Sequence, residues 1–339
     1  MKLGDKIKKY REENRMTQRD IAEILEVEPG TVSKYESGML EPNIESIKRL
    51  SDTFEITIDE LLKDDDEKID ISKINVLEVL REQKEMKLKG NLYHNTQIIF
   101  SYNTNHIEGS KLTEDQTRYI FETNAILFEG ETVASVDDIL ETANHFKLVD
   151  YMLDIAEEVL TEEIIKKFHS ILKEGTMDSR QSWFNVGEYK KVVNEAGVMK
   201  TTLPKETPKS MKKLMEWYNS LSKITIKEII EFHARFEKIH PFQDGNGRVG
   251  RMVMFKECLK NNIIPFIILD KDKLFYYRGL KEYQGNREKG NVIDTCLNAQ
   301  DQYIKMIEYY LKHMQSVPCL YDLLSLFLLI QLHYFYHNL

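Results

Sequence analysis

Twelve consecutive residues limit this chain more than any other segment: His240-Pro241-Phe242-Gln243-Asp244-Gly245-Asn246-Gly247-Arg248-Val249-Gly250-Arg251. Gly245 and Gly247 permit backbone conformations that aim consecutive N–H groups at one anion, and a helix starting just after them adds its positive end. Arg248 and Arg251 lie three apart on that helix, so both planar forks can grip phosphate oxygens, and two arginines suit a polyphosphate. Asp244 offers a hard oxygen to magnesium, an ion that commonly takes one or two carboxylates plus substrate phosphates. His240 follows a helix predicted over Ile226–Ile239, and an imidazole, the side chain type that exchanges protons around neutral pH, suits a general base. Phe242 reads as the apolar pin of the loop, and Asn246 as a hydrogen-bond donor to the phosphate under attack. His145, His169 and His233 stand at ordinary helical positions and are expected to be structural.

Few glycines, seven prolines and apolar spacings of three and four predict a mainly helical protein. Helical patterns run through Asn75–Ser110, Asp137–Glu158, Glu162–Lys173, Ser210–Leu221, Ile226–Ile239 and Val249–Asn261. Tyr189–Lys209 mixes Val192-Val193, Gly197, Thr201-Thr202, Pro204 and Pro208, which suits a short β-hairpin flap. The acidic run over residues 63–68 predicts a solvated linker. It divides a first domain (1–63) from a second (73–312) across residues 64–72. The tail 313–339 carries the apolar run Leu323–Ile330, which Asp322, Gln331 and His333 cut short of the roughly 20 residues that span a bilayer. It is expected to be a packed or partner-binding helix, with no membrane partner. Three separated cysteines and a start without an export signal predict a reducing, cytoplasmic setting.

The twelve-residue run matches the motif of the Fic family, His-Pro-Phe-x-Asp-Gly-Asn-Gly-Arg-x-x-Arg, at every specified position. The similarity extends over about residues 73–312, through Glu141-Thr142-Ala143-Asn144, Gly187-Glu188-Tyr189-Lys190, Pro265 and Tyr276-Tyr277. The resemblance implies an all-helical Fic domain with a small flap. The implied activity is that of a protein adenylyltransferase, moving AMP from ATP to a Ser, Thr or Tyr hydroxyl of a target protein, with magnesium as cofactor. His240 would be the catalytic base. Asp244, Gly245, Asn246, Gly247, Arg248 and Arg251 would bind ATP, with Asp244 also holding the metal. Val192, Val193, Gly197, Val198, Met199, Lys200 and Thr201 would form the target-binding flap. Tyr277 and Gln284 would face the adenine end, although Gln284 stands where some relatives have Asn and leaves base preference open.

Thr104-Asn105-His106-Ile107-Glu108-Gly109 resembles the inhibitory helix of the same family. Thr104 and Glu108, four apart, share one side of a helix near residues 98–109, and Gly109 can end it. The resemblance implies that Glu108 pairs with Arg251 and occupies the guanidinium meant for the ATP γ-phosphate.

At the N-terminus, Thr17-Gln18-Arg19-Asp20 forms a capping-box-like start to a short helix. Pro29 suits the first turn of the next helix. Residues 5–62 resemble the phage-repressor (XRE) helix-turn-helix of five-helix type, with one departure: Glu26 stands where the turn usually has Gly. The resemblance implies DNA as a partner, with Thr31, Ser33 and Lys34 facing base edges or phosphates and Gln18 anchoring the backbone. Residues 1–62 carry ten lysines and arginines against fourteen aspartates and glutamates, a net of −4, which does not favour non-specific attraction to phosphates.

Three functional classes stay open: an autoinhibited AMP transferase with a DNA-binding module, a DNA-binding regulator whose Fic domain senses nucleotide, and an AMP-removing enzyme that uses Glu108. A homodimer is also left open.

Overall fold

The computed structural model describes residues 2–62, 71–127, 134–196, 199–285 and 290–314. The expected tail helix within 313–339 lies outside them, apart from the end of a helix that closes at Met314. The chain divides into two units between Asp70 and Ile71. A 3-10 helix at Ile71–Lys73 opens the second unit, with its first two residues in the stretch expected to be linker.

The first unit packs five helices: α1 (Leu3–Glu13), α2 (Gln18–Leu25), α3 (Pro29–Glu36), α4 (Ile44–Thr53) and α5 (Ile58–Leu62). Their apolar stripes meet in a core of Ile7, Ile21, Val32, Leu50 and Leu61. Thr17 caps α2 in a full capping box with Asp20, and Pro29 occupies the first turn of α3. The turn between them places Glu26 in the left-handed region at φ 58° and ψ 42°, which accounts for the glycine usual at that position. The Glu26 carboxylate meets Arg49 of α4 at 2.9 Å. Beneath α3, Arg11 of α1 forks onto Glu36 (Nε–Oε1 2.5 Å, Nη2–Oε2 3.2 Å) and also donates to the Met16 carbonyl.

The second unit holds α6 (Val76–Met86), α7 (Leu92–Ile107), α8 (Glu114–Thr123), α9 (Val136–Asp154), α10 (Glu162–Leu172), α11 (Thr207–Asn219), α12 (Ile226–Ile239), α13 (Asn246–Lys260), α14 (Lys273–Gln284) and α15 (Gly290–Met314). Between α10 and α11, β1 (Glu195–Ala196) pairs antiparallel with β2 (Met199–Lys200), the expected hairpin. The helix expected over Asn75–Ser110 is two helices, because Lys87 and Gly90 both take positive φ and turn the chain. Three helices were not expected: α8, announced by the Thr113 and Gln116 capping box, and α14 and α15.

α13 lies at the centre, packed against α7, α9, α10 and α12. Its apolar residues Val249, Met252, Val253 and Phe255 enter the main core, while Met254 and Cys258 fill a second cluster. Even its charged pair is interior: Lys256 bonds Glu257 and the Glu158 carbonyl, and Glu257 accepts from Tyr218. Among the described residues no helix is long and apolar enough to cross a membrane.

Glu36→Gln would leave Arg11 with a neutral partner in a nearly dry position. The expected loss is about 2 kcal/mol from the first unit. Hydrogen exchange of the full chain should then show α1 and α3 opening roughly 30-fold more often, with α13 unaffected.

Candidate active site

The loop between α12 and α13 carries the site. α12 ends because His240 adopts the left-handed conformation, φ 52° and ψ 62°, as the cap whose N–H bonds back to Phe236. Phe242 is fully buried and stacks parallel on His169, with ring centroids 4.1 Å apart. Asn246 closes the loop by accepting from the Phe242 N–H and donating to its carbonyl, both at 2.8 Å. In this structure the Asn246 side chain holds the loop closed.

Gly245 caps α13 with φ 78°. Gly247 corrects a sequence expectation: it lies within the helix, and its requirement is space. A methyl group there would overlap the Glu108 carboxylate oxygen and crowd Arg251 at 3.0 Å. That carboxylate thus rests against the first turn of α13, where unpaired N–H groups and the helix dipole attract an anion.

His240 Nδ1 is buried, makes no hydrogen bond and lies 3.6 Å from Glu237 Oε2. Burial would raise the Glu237 carboxyl, but His240, His233 and Arg251 outweigh it and hold the group below its ordinary value.

The two arginines of α13 are both buried and both paired. Arg248 binds Glu141 of α9 through Nη1 and Asp244 through Nη2 at 3.1 Å, and also reaches Asn105 at 3.3 Å. Lys173, from the end of α10, bonds Glu141 as well and meets Asp244 Oδ2 at 2.7 Å. Burial would raise the Asp244 carboxyl, yet Arg248 and Lys173 keep it well below the usual carboxylate range. Neither Glu141 nor Lys173 had a chemical role legible in the sequence, because their partners lie on other elements of the fold. Arg248, expected to grip phosphate, is thus engaged by two carboxylates.

Arg251 reaches the end of α7. Its Nε donates to Thr104 Oγ1 at 2.8 Å, and its Nη2 donates to the Thr104 carbonyl at 3.1 Å and to Glu108 Oε1 at 2.6 Å. The pairing expected of Glu108 and Arg251 is thus formed. Burial opposes the Arg251 charge, but Glu108 beside it raises the pKa above the ordinary arginine value. Arg251 Nη1 is buried without a hydrogen bond. Glu108 is the residue at which α7 stops, and Gly109 follows at φ 103°. Tyr277 donates from its hydroxyl to the Ile107 carbonyl at 3.3 Å, while Gln284 donates its amide to Ala234 of α12.

Of the flap residues, Val192 and Val193 are exposed, and the Val192 N–H donates to the Gln243 side chain at 3.3 Å. Met199 and Lys200 form β2, Thr201 follows it, and Gly197 and Val198 lie outside the described residues. In the first unit Ser33 and Lys34 are exposed and Thr31 is half-buried. Gln18, half-buried, donates its amide to Glu36 of α3 at 2.8 Å.

Among the described residues no three His, Cys, Asp or Glu side chains form a metal cluster. Asp244, half exposed, is a hard oxygen donor held ionised. One such carboxylate, completed by phosphate and water oxygens, is a donor set that magnesium accepts.

Residues 159–258 match the profile of the Fic/DOC family, and residues 7–61 match that of a helix-turn-helix domain. The chain therefore carries a Fic domain behind a helix-turn-helix domain. It is 24% identical over 190 residues to "Protein adenylyltransferase fic-1" of Caenorhabditis elegans, a match covering 55% of this chain and 36% of that protein. It is 26% identical over 186 residues to "Protein adenylyltransferase Fic" of Nematostella vectensis, covering 53% and 42%. The chain thus spans well under half the length of these relatives. Among solved structures, a Fic-domain-containing signaling protein of Bacteroides thetaiotaomicron superposes with a TM-score of 0.51 at 24% identity, covering 71% of this chain and 93% of that one. A C. elegans Fic-1 fragment gives 0.54 at 15% identity, covering 86% and 94%. These likenesses show the fold.

The three structural histidines make the second unit acid-sensitive. Burial pushes His145 and His169 down to about 3 and His233 to about 4. The unfolded chain, with its histidines near 6.5, binds protons that the folded chain refuses. Stability is therefore complete above about 6.5 and is lost as pH falls through the window below it, by at most about 1.4 kcal/mol per pH unit per histidine. Melting temperature against pH should decline more gently in His145→Asn than in the parent chain.

Proposed function

We propose, on the premise that the chain carries a Fic domain behind a helix-turn-helix domain, that it is an autoinhibited protein adenylyltransferase acting in the cytoplasm. It would transfer AMP from ATP to a Ser, Thr or Tyr hydroxyl of a target protein. What carries the reading is one loop, in which His240 ends α12 and Gly245 opens α13, so a base and an anion-binding helix start are five residues apart.

His240 turns Nδ1 toward Glu237, which leaves Nε2 to take the proton from the target hydroxyl. The hydroxyl oxygen then attacks the α-phosphate, and pyrophosphate leaves. The first turn of α13 and Arg251 hold the phosphates, and positioning and charge neutralisation supply most of the acceleration. Asp244 would hold magnesium, which when bound neutralises phosphate charge. The exposed flap residues Val192 and Val193 suit backbone pairing with an extended target segment.

Glu108 supports autoinhibition because its carboxylate takes both the Arg251 guanidinium and the start of α13, two contacts that a γ-phosphate needs. ATP would then sit with its α-phosphate misaligned for attack. A second reading, removal of AMP with Glu108 aligning a water, draws on the same placement, since that carboxylate stays partly exposed.

Incubation with α-labelled ATP and magnesium tests the assignment. Glu108→Gly should raise auto-modification at least ~10-fold, about 1.4 kcal/mol off the barrier. His240→Ala in that background should abolish transfer while ATP binding stays within a few-fold. An unchanged rate in Glu108→Gly, together with loss of AMP removal from modified protein, would favour the second reading.

For the first unit, exposed Ser33 and Lys34 on α3 support DNA binding to a palindromic site near the protein's own gene. Lys34→Ala should weaken the complex and lower its salt slope by about one. A mobility-shift titration showing no preference over random DNA would leave a protein-contact role for this unit.

A further inference from the structure

Lys190 is a buried lysine whose ammonium faces only neutral oxygens. It is 3% exposed, and burial pushes it down to about 8. Its Nζ donates to Asn194 Oδ1 at 2.6 Å, Thr201 Oγ1 at 2.9 Å and the Ile239 carbonyl at 3.3 Å. An ammonium has three donors, and all three are used.

Asn194 and Thr201 flank the hairpin, one before β1 and one after β2, and Thr201 Oγ1 also donates to the Asn194 carbonyl at 2.8 Å. Lys190 therefore ties the two ends of the hairpin to each other. Ile239 is the last residue of α12, directly before His240. On the other side of His240, the Pro241 carbonyl accepts from the Lys190 main-chain N–H at 2.8 Å. Asn194 adds a bond from its amide to the Phe242 carbonyl at 2.7 Å. The backbone on both sides of His240 is thus stitched to the base of the flap through one residue. His240 needs such support, since a left-handed conformation is unfavourable for a residue with a side chain.

We infer that Lys190 is a positioning residue: its ammonium locks the hairpin base to the backbone around His240, fixing the distance between an acceptor segment on the flap and the base. The inference rests on the adenylyltransferase reading for its consequence and on geometry alone for the lock. Transfer between a docked hydroxyl and an activated phosphate requires near-contact alignment, so a flap loosened by 1 Å costs protein acceptors heavily. Water needs no flap.

Lys190→Met keeps the aliphatic stem and removes the three donors. In full-length Glu108→Gly protein, α-labelled ATP with magnesium would report protein-bound AMP and free AMP together. Lys190→Met should lower the ratio of protein-bound to free AMP at least ~10-fold, with ATP binding unchanged. Hydrogen exchange should quicken in residues 190–201 and 239–243 while α13 stays protected. Lys191→Met, an exposed neighbour, should change neither readout. Equal losses of protein-bound and free AMP, or unchanged exchange in 190–201, would overturn the lock. If Glu108→Gly yields neither product, the adenylyltransferase reading fails, and the exchange result by itself then upholds or overturns the lock.

Discussion

Two guanidinium groups buried at the start of α13 set the terms for the rest of the second unit. A cation removed from water is tolerated only where anions and hydrogen-bond acceptors converge on it. Arg248 is met by Glu141 and Asp244, and Arg251 by Glu108 and the oxygens of Thr104. These partners come from α9, the loop and the end of α7, so satisfying two residues of one helix fixes the mutual placement of three other parts of the chain. Lys173 extends the network to α10 by bridging Glu141 and Asp244.

The network also explains why Glu108 is poised as it is. α7 is buried along nearly its whole length and is rich in polar side chains, so its position is held by specific bonds as much as by apolar packing. Asn103 accepts from the Asp270 N–H, Asn105 reaches Arg248, and Tyr277 bonds the Ile107 carbonyl. The helix ends where Gly109 turns the chain, leaving the Glu108 carboxylate on the first turn of α13. On the proposed adenylyltransferase reading, a triphosphate would compete for the same donors, and release of Glu108 would exchange one ion pair to a buried arginine for phosphate contacts to the same group.

Around the loop, support comes from aromatic and amide groups. His169 joins two parts of the site: it stacks on Phe242 and accepts from the Gly187 N–H at 2.9 Å, which places the chain leading into the flap. Accepting the Gly187 N–H requires a neutral ring, which burial favours. The first unit shows the same economy on a smaller scale, where Glu36 satisfies Arg11 and Gln18 together and fixes α3 against α1 and α2.

The sequence by itself determined what depends on neighbours in the chain. The capping box at Thr17, Pro29 at the start of α3, the glycines around Asn246 and the spacing of Thr104, Glu108 and Gly109 each act within one or two helical turns, and each element they announce is formed. Tertiary structure decided which donor meets which acceptor. Asn246 turned to Phe242, Gln18 turned to Glu36, and Arg248 took two carboxylates, because a buried polar group satisfies itself with whatever the fold brings within reach. Glu141 and Lys190 stood only in runs that carried the family resemblance, and no role could be assigned to them or to Lys173, because partners up to 107, 49 and 71 residues away meet them only in the fold. Local pattern specifies helices and their ends, whereas the charge of a side chain acquires a role only when folding removes its water and leaves it one set of partners.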